Sequence, residues 1–134
     1  MKIFRNRSGA SAIEFAMIAP IIVLLMMGVI EFGLILFTYA SAQNTTRNVV
    51  RMLATNQIST TEAQSDCLNG LPTWVNGSAS VSIVESAPSD PSSNMITVEI
   101  SFPAEKATPT NVLSWAYGSL TIHAESIMHQ EAAT

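Results

Sequence analysis

A chain of 134 residues has room for one small domain beside a membrane segment, but not for two domains. Beyond Met52 a single base, Lys106, stands against eight acids, so this part carries a net charge of −7. That balance excludes a nucleic-acid backbone as partner and is typical of a solvated surface. One cysteine, Cys67, excludes an intramolecular disulfide framework, and we expect a buried thiol, with an intermolecular bridge as the alternative.

The N-terminus combines a basic cluster with a long apolar run. Lys2, Arg5 and Arg7 precede a run from Phe15 to Phe37, which only Glu31 interrupts. About 20 apolar residues suffice for a membrane-spanning helix, whose backbone groups are satisfied internally. The basic cluster predicts that the N-terminus stays cytoplasmic and the remainder of the chain lies outside.

Three interpretations of this N-terminus compete. The first is a secretory signal removed after Ala40-Ser41-Ala42, which has the small-x-small form. Signal peptides have apolar regions of up to about 15 residues, however, and this run is considerably longer. The second is a membrane anchor that is never processed.

The third interpretation rests on a motif at the start of the run. Gly9 is followed by Ala10-Ser11-Ala12-Ile13 and then by Glu14-Phe15. After a short basic leader, this arrangement resembles a type IV prepilin-type processing site, and the Glu-Phe pair resembles the tight-adherence (Tad/Flp) branch. The longer pattern is similar to the TadE-like pseudopilins, through Pro20, Gly28, Glu31-Phe32-Gly33, Arg47 and Arg51.

The resemblance implies a minor pseudopilin of a Tad/Flp type IV pilus system, a system linked to adhesion and biofilm. It implies cleavage by a prepilin peptidase between Gly9 and Ala10 and a place in the bacterial inner membrane. The implied partners are that peptidase, other pseudopilins and pilins of the Tad system, and membrane lipid. A major pilin is disfavoured because such pilins are little more than the helix.

Glu14 needs an explanation because a carboxylate at the edge of an apolar run is costly unless paired. After cleavage Ala10 would carry a free ammonium, four residues from Glu14 on the same helical face. The resemblance implies that Glu14, beside Phe15, neutralises the new amine of a neighbouring subunit during assembly. The alternative is a capping box, in which Ser11 is the N-cap and Glu14 the N3 residue.

Glu31 leaves two interpretations open. It lies about 25 Å along a helix from Glu14, near the outer edge of the hydrocarbon. Its side chain either reaches up to the polar interface or takes up a proton there. The functional interpretation is a helix–helix contact with a partner, for instance another pseudopilin.

The sequence predicts an α+β fold with three regions: a basic leader (1–9), a transmembrane and extended helix (10–56), and a small extracytoplasmic domain (57–134). Within that domain we expect a short helix at Thr61–Leu68, and the domain is too small for a comfortable core of its own. Alternation predicts an antiparallel sheet packed on the outer half of the helix. Its strands are Ala79–Val84, Met95–Phe102 and Leu120–Met128, with Leu120, Ile122 and Ala124 facing inward.

The aromatic residues Trp74, Phe102 and Trp115 are expected in the core or against the helix. Two histidines and one cysteine form no recognisable metal site, and phosphate-loop and nucleophile motifs are lacking. We therefore expect no cofactor, no metal and no enzymatic activity. The alternative function is a single-pass membrane-anchored or secreted extracytoplasmic binding domain that uses its acidic surface to hold a ligand.

Overall fold

The computed structural model describes residues 7–131, so the basic leader residues Lys2 and Arg5 lie outside it. A long helix is followed by three short helices and a three-stranded sheet, with a 3₁₀ turn at Ala104–Lys106. In chain order the elements are α1 (Arg7–Ala54), α2 (Thr60–Asn69), α3 (Thr73–Asn76), β1 (Ser80–Glu85), β2 (Met95–Pro103), α4 (Ser114–Tyr117) and β3 (Thr121–His129).

Helix α1 is the structural axis of the molecule. Its 48 residues would extend about 72 Å, and it continues as helix on both sides of Pro20. The two halves of α1 have different surroundings. Residues 9–30, the bare segment, are exposed apart from two small residues that are half-buried, Ala19 and Gly28. Residues 31–54, the packed segment, carry the remainder of the chain on one face.

The sheet is antiparallel with the order β1-β2-β3, which confirms the predicted architecture. The observed strands lie within one residue of the predicted bounds. Strand β2 alternates as expected: Ile96, Val98, Ile100 and Phe102 point into the core and are at most 2% exposed. Placing Leu120 inside was wrong, because β3 begins one residue later and Leu120 is 63% exposed.

The core lies between the inner face of this sheet and the packed segment of α1. The outer part of α1 contributes an apolar stripe to this core, since Val49, Val50, Leu53 and Ala54 are all buried. A small sheet has too little apolar surface to form a core alone, and α1 supplies the second layer. The distal domain, residues 57–131, therefore depends on the helix for its stability.

The three aromatic residues expected in the core have different surroundings. Phe102 is buried and Trp74 is half-buried against the core. Trp115 is 80% exposed, so its expected place in the core was wrong. Helix α4 carries Trp115 on a single turn at the margin of the domain, and the described residues provide no apolar layer over that turn.

Helix α2 shows how closely the local sequence determines the local structure. Ser59 caps its N-terminus, and the carboxylate of Glu62 accepts the second capping-box hydrogen bond from the backbone N–H of Ser59 at 2.9 Å. Hydrogen bonds from the backbone and then the side chain of Ser59 lower the pKa of Glu62. At its other end, Gly70 lies so close to α1 that an added Cβ would be 2.5 Å from Thr45 Oγ1.

Cys67 is fully buried on α2, as expected, and its thiol is free. Burial, and to a lesser extent the charge of Asp66, raises the pKa of Cys67 to about 11. At pH 8 about one thiol in a thousand would be ionised, against about one in four for an ordinary cysteine. We expect Ellman's reagent to react at least about a hundredfold more slowly with the folded protein than with the denatured protein. Equal rates in micelles and in denaturant would contradict this burial.

Candidate functional site

The bare segment is an exposed apolar surface along one continuous helix. The side chains from Ile13 to Ile30 are largely exposed although most are apolar. A water-soluble surface rarely carries so large a contiguous apolar area, whereas lipid accepts it. Residues 9–30 extend about 33 Å, close to the thickness of a bilayer core. Within the described residues, α1 is the one helix long and apolar enough to cross a membrane.

Glu14 is the one charged residue of the bare segment. Ala10 and Glu14 lie one turn apart on α1, and both are exposed, as is Phe15 at 68%. The acid is therefore presented to the surroundings of the helix. In the structure α1 begins at Arg7 and Ser11 lies within the helix, so the capping box of Ser11 and Glu14 stays a prediction for a chain that would start at Ala10.

Gly9 and Ala10, the predicted processing site, lie in the first turns of α1. Both residues are exposed, and no side chain of the described protein lies within 4 Å of the position of a Cβ on Gly9. Terminal helical turns lack part of their hydrogen bonding and open readily. The described residues therefore leave the Gly9–Ala10 bond uncovered.

Glu31 does not lie on a free surface, because the distal domain covers it and only 1% of the residue is exposed. Its Oε2 accepts a hydrogen bond from the backbone N–H of Leu113 at 2.9 Å, and its Oε1 accepts one from Thr108 Oγ1 at 3.2 Å. These contacts satisfy the carboxylate within its own chain. Its contact with a partner helix stays a prediction.

Replacing Glu31 by Ala removes the acceptor for the Leu113 amide. Leaving a buried amide without an acceptor costs about 1–3 kcal/mol, so we expect that amide to exchange about five- to a hundredfold faster with solvent. Hydrogen exchange of the protein in micelles measures this. Glu31→Gln, which keeps an acceptor oxygen, should show a smaller change, and the Val98 amide in β2 should not change. Unaltered exchange at Leu113 in Glu31→Ala would contradict the contact.

The packed segment also bears on the secretory-signal interpretation. Ala40-Ser41-Ala42 lies within the second half of α1, and Ala42 is completely buried. On the N-terminal side of Ala42, Thr38 Oγ1 donates to the Ala107 carbonyl at 2.8 Å, and Ser41 Oγ donates to the Gly70 carbonyl at 3.0 Å. Cleavage after Ala42 would remove Glu31, Thr38 and Ser41 together from a domain that packs on them.

The described part of the chain shows no cluster of metal-ligating side chains. Within residues 7–131, no group of three His, Cys, Asp or Glu side chains is placed to hold a metal ion. His123 Nδ1 contacts Glu99 on the outer face of the sheet, where both side chains are solvent-accessible. The candidate functional surface is therefore sought on the exposed bare segment.

Fold and site together define a small α+β protein whose apolar helix fits a single-pass membrane anchor. Residues 9–51 match the family model described as TadE-like protein, so the resemblance seen in the sequence is confirmed over the segment that carries the motif. This match indicates involvement in Tad pilus systems and a membrane location. Neither the curated proteins nor the solved structures contain a match to the chain.

Proposed function

We propose that this protein is a minor pseudopilin of a Tad/Flp pilus system that acts in pilus assembly through helix–helix packing. The observation that carries the proposal is the bare segment: an apolar helix, TadE-like in sequence, that presents Glu14 one turn beyond Ala10. An acid in this place favours a cationic partner inside the membrane. No catalytic role is proposed for any residue.

Processing would create that partner. A prepilin peptidase cuts after Gly9, and Ala10 acquires an ammonium group. Glu14 of an incoming subunit then pairs with the Ala10 amine of its neighbour, where the low dielectric strengthens the attraction and penalises an unpaired charge. The pairing sets the axial register between adjacent helices, while Phe15 packs beside it.

The anchor has a defined orientation in this proposal. The basic residues before Gly9 hold the N-terminus in the cytoplasm of a bacterial cell, and the acidic distal domain lies in the periplasm. The bare segment spans the inner membrane, and the packed segment continues beyond it. The sheet is then free to contact other pseudopilins or pilins of the system.

Photo-crosslinking from the bare segment tests the assembly role. A photoreactive amino acid at Met17, which is exposed and one turn from Glu14, should form adducts with other pilin-type subunits in piliated cells. The same variant in cells without the pilus genes serves as the matched control and should yield no such adduct. If only lipid adducts form in both strains, the chain is better explained as a single-pass anchored binding domain.

A further inference from the structure

One stretch of the distal domain differs in character from the acidic remainder. From Ala107 to Ala124 the sequence contains no Asp, Glu, Lys or Arg, although the region beyond Met52 carries a net charge of −7. The part that follows the 3₁₀ turn and ends before β3, residues 108–120, is here called the interface loop. It includes helix α4.

The interface loop reaches the outer end of the bare segment. The Cδ1 atom of Leu113 lies 3.5 Å from the position that a Cβ on Gly28 would occupy. Leu113 also lines an apolar groove with Leu24, Val29 and Phe32. Gly28 lies about one helical turn before Glu31, within the apolar run. The loop therefore overlaps the end of the membrane segment along the axis of α1.

Hydrogen bonds hold the loop at this height. Glu31 accepts from the Leu113 N–H and from Thr108 Oγ1. Just before the loop, the Ala107 carbonyl accepts from Thr38 Oγ1 at 2.8 Å and from Trp74 Nε1 at 3.0 Å. The side chains that make these hydrogen bonds are Glu31 and Thr38 on the packed segment and Trp74 on α3. The loop is therefore fixed relative to α1.

The exposed side chains of the loop are uncharged, and they include three large apolar ones beside the polar Thr110, Asn111 and Ser119. Trp115 and Leu120 are the most exposed of the apolar ones, and Val112 is also exposed. Tryptophan is concentrated at membrane interfaces because its ring is apolar and its N–H seeks a polar partner. An exposed tryptophan on an uncharged loop, level with the end of a membrane helix, has the chemistry of such an anchor.

We propose that the interface loop inserts into the outer boundary between lipid headgroups and acyl chains, with Trp115 and Leu120 as its anchors. The surface is continuous with the apolar bare segment, and its lack of charge fits apolar insertion better than attraction to anionic headgroups. The loop thereby fixes the height and tilt of the distal domain above the membrane. This inference rests on the membrane-spanning part of the proposed function and is independent of cleavage and pilus assembly.

Depth-dependent fluorescence quenching tests the insertion. The full chain is reconstituted into phosphatidylethanolamine–phosphatidylglycerol vesicles that contain lipids brominated near the headgroup or near the chain end. Subtracting the signal of Trp115→Phe isolates Trp115 from Trp74. We expect headgroup-proximal bromine to quench at least about half of the Trp115 signal and chain-end bromine to quench less, because interfacial indoles lie at headgroup level.

A matched control places a tryptophan elsewhere on the same domain. Val84 is exposed and lies near the C-terminal end of β1, beside the start of β2. This end of the sheet adjoins Ala54, the last residue of α1. Val84→Trp in the Trp115→Phe background should be quenched by iodide in the buffer and not by brominated lipid. A Trp115 signal that is quenched by iodide and not by brominated lipid would overturn the proposal. That result would also be expected if the loop binds a protein partner in cells instead of lipid.

Vesicle flotation separates the two possible failures. Protein that does not float with the vesicles would refute the membrane anchor itself, and with it both proposals. Protein that floats while Trp115 stays open to iodide would refute the interface loop alone.

Discussion

Replacing Glu14 by Ala is expected to abolish piliation while membrane insertion stays intact. Glu14 is the one charged residue of the bare segment and is exposed to its surroundings. Removing a charge from the edge of an apolar run does not disfavour insertion, since charged side chains are costly within a membrane segment. Assembly, in contrast, would lose the group that compensates the Ala10 ammonium and sets the register.

Piliation is measured by counting surface pili in electron micrographs. Membrane insertion is measured as the amount of the protein in the membrane fraction. Glu14→Gln should also abolish piliation, because it keeps the shape and hydrogen bonding of the side chain but not its charge. Asn48→Ala, an exposed polar position on the packed segment of α1 outside the proposed helix contact, is the control and should leave piliation normal. Normal piliation in Glu14→Ala with an inserted protein would refute the pairing role.

Phe102→Ala is expected to be the most destabilising single change in the distal domain. Phe102 is 1% exposed and is the largest of the fully buried side chains. Truncating a buried phenylalanine removes its transfer free energy and leaves a cavity, at a cost of about 3–5 kcal/mol. Small domains have stabilities of about 5–15 kcal/mol, so the loss would unfold an appreciable fraction at elevated temperature.

Denaturant titration in micelles, followed by the fluorescence of the half-buried Trp74 in a Trp115→Phe background, measures this change. Val84→Ala serves as the control, because Val84 is an exposed strand residue and surface substitutions stay within about 0.5 kcal/mol. Helix α1 should remain helical in both variants, since lipid or detergent stabilises its bare segment. Equal midpoints for the two variants would show that Phe102 is not in the core.

Much of this fold could be predicted from the sequence because its signals are local. The apolar run from Phe15 to Phe37 determines the membrane part of α1, and strict alternation from Met95 to Phe102 determines β2 and its buried face. Ser59 and Glu62 form the capping box that their spacing indicates. Each of these features depends on neighbours within a few residues, which periodicity and capping patterns describe directly.

The contacts that join helix and domain could not be predicted in the same way. Glu31 bonds to Leu113, 82 residues along the chain, and no local pattern encodes that pairing. Thr46 Oγ1 similarly meets Ser126 Oγ at 3.0 Å, across 80 residues. The hydroxyls of Thr38, Ser41 and Thr45 recur at three- to four-residue spacing along one side of α1, which could have indicated a polar seam facing another element.

Trp115 and Leu120 were misplaced for a different reason. Apolar character predicts burial in an aqueous protein, but it does not distinguish burial in a core from contact with lipid. The hydrogen bonds of Gln130 with Asn94 and Asn56, which lie 36 and 74 residues away in the sequence, likewise follow from no local pattern.

The central claim is that α1 is retained in the membrane as a trimmed assembly helix. Intact mass spectrometry of the mature protein, purified from the membranes of cells with an active prepilin peptidase, tests it most directly. We predict a chain that starts at Ala10, and Gly9→Val should block that shortening. A mature chain that keeps residues 1–9, or one that starts at Gln43, would contradict the account.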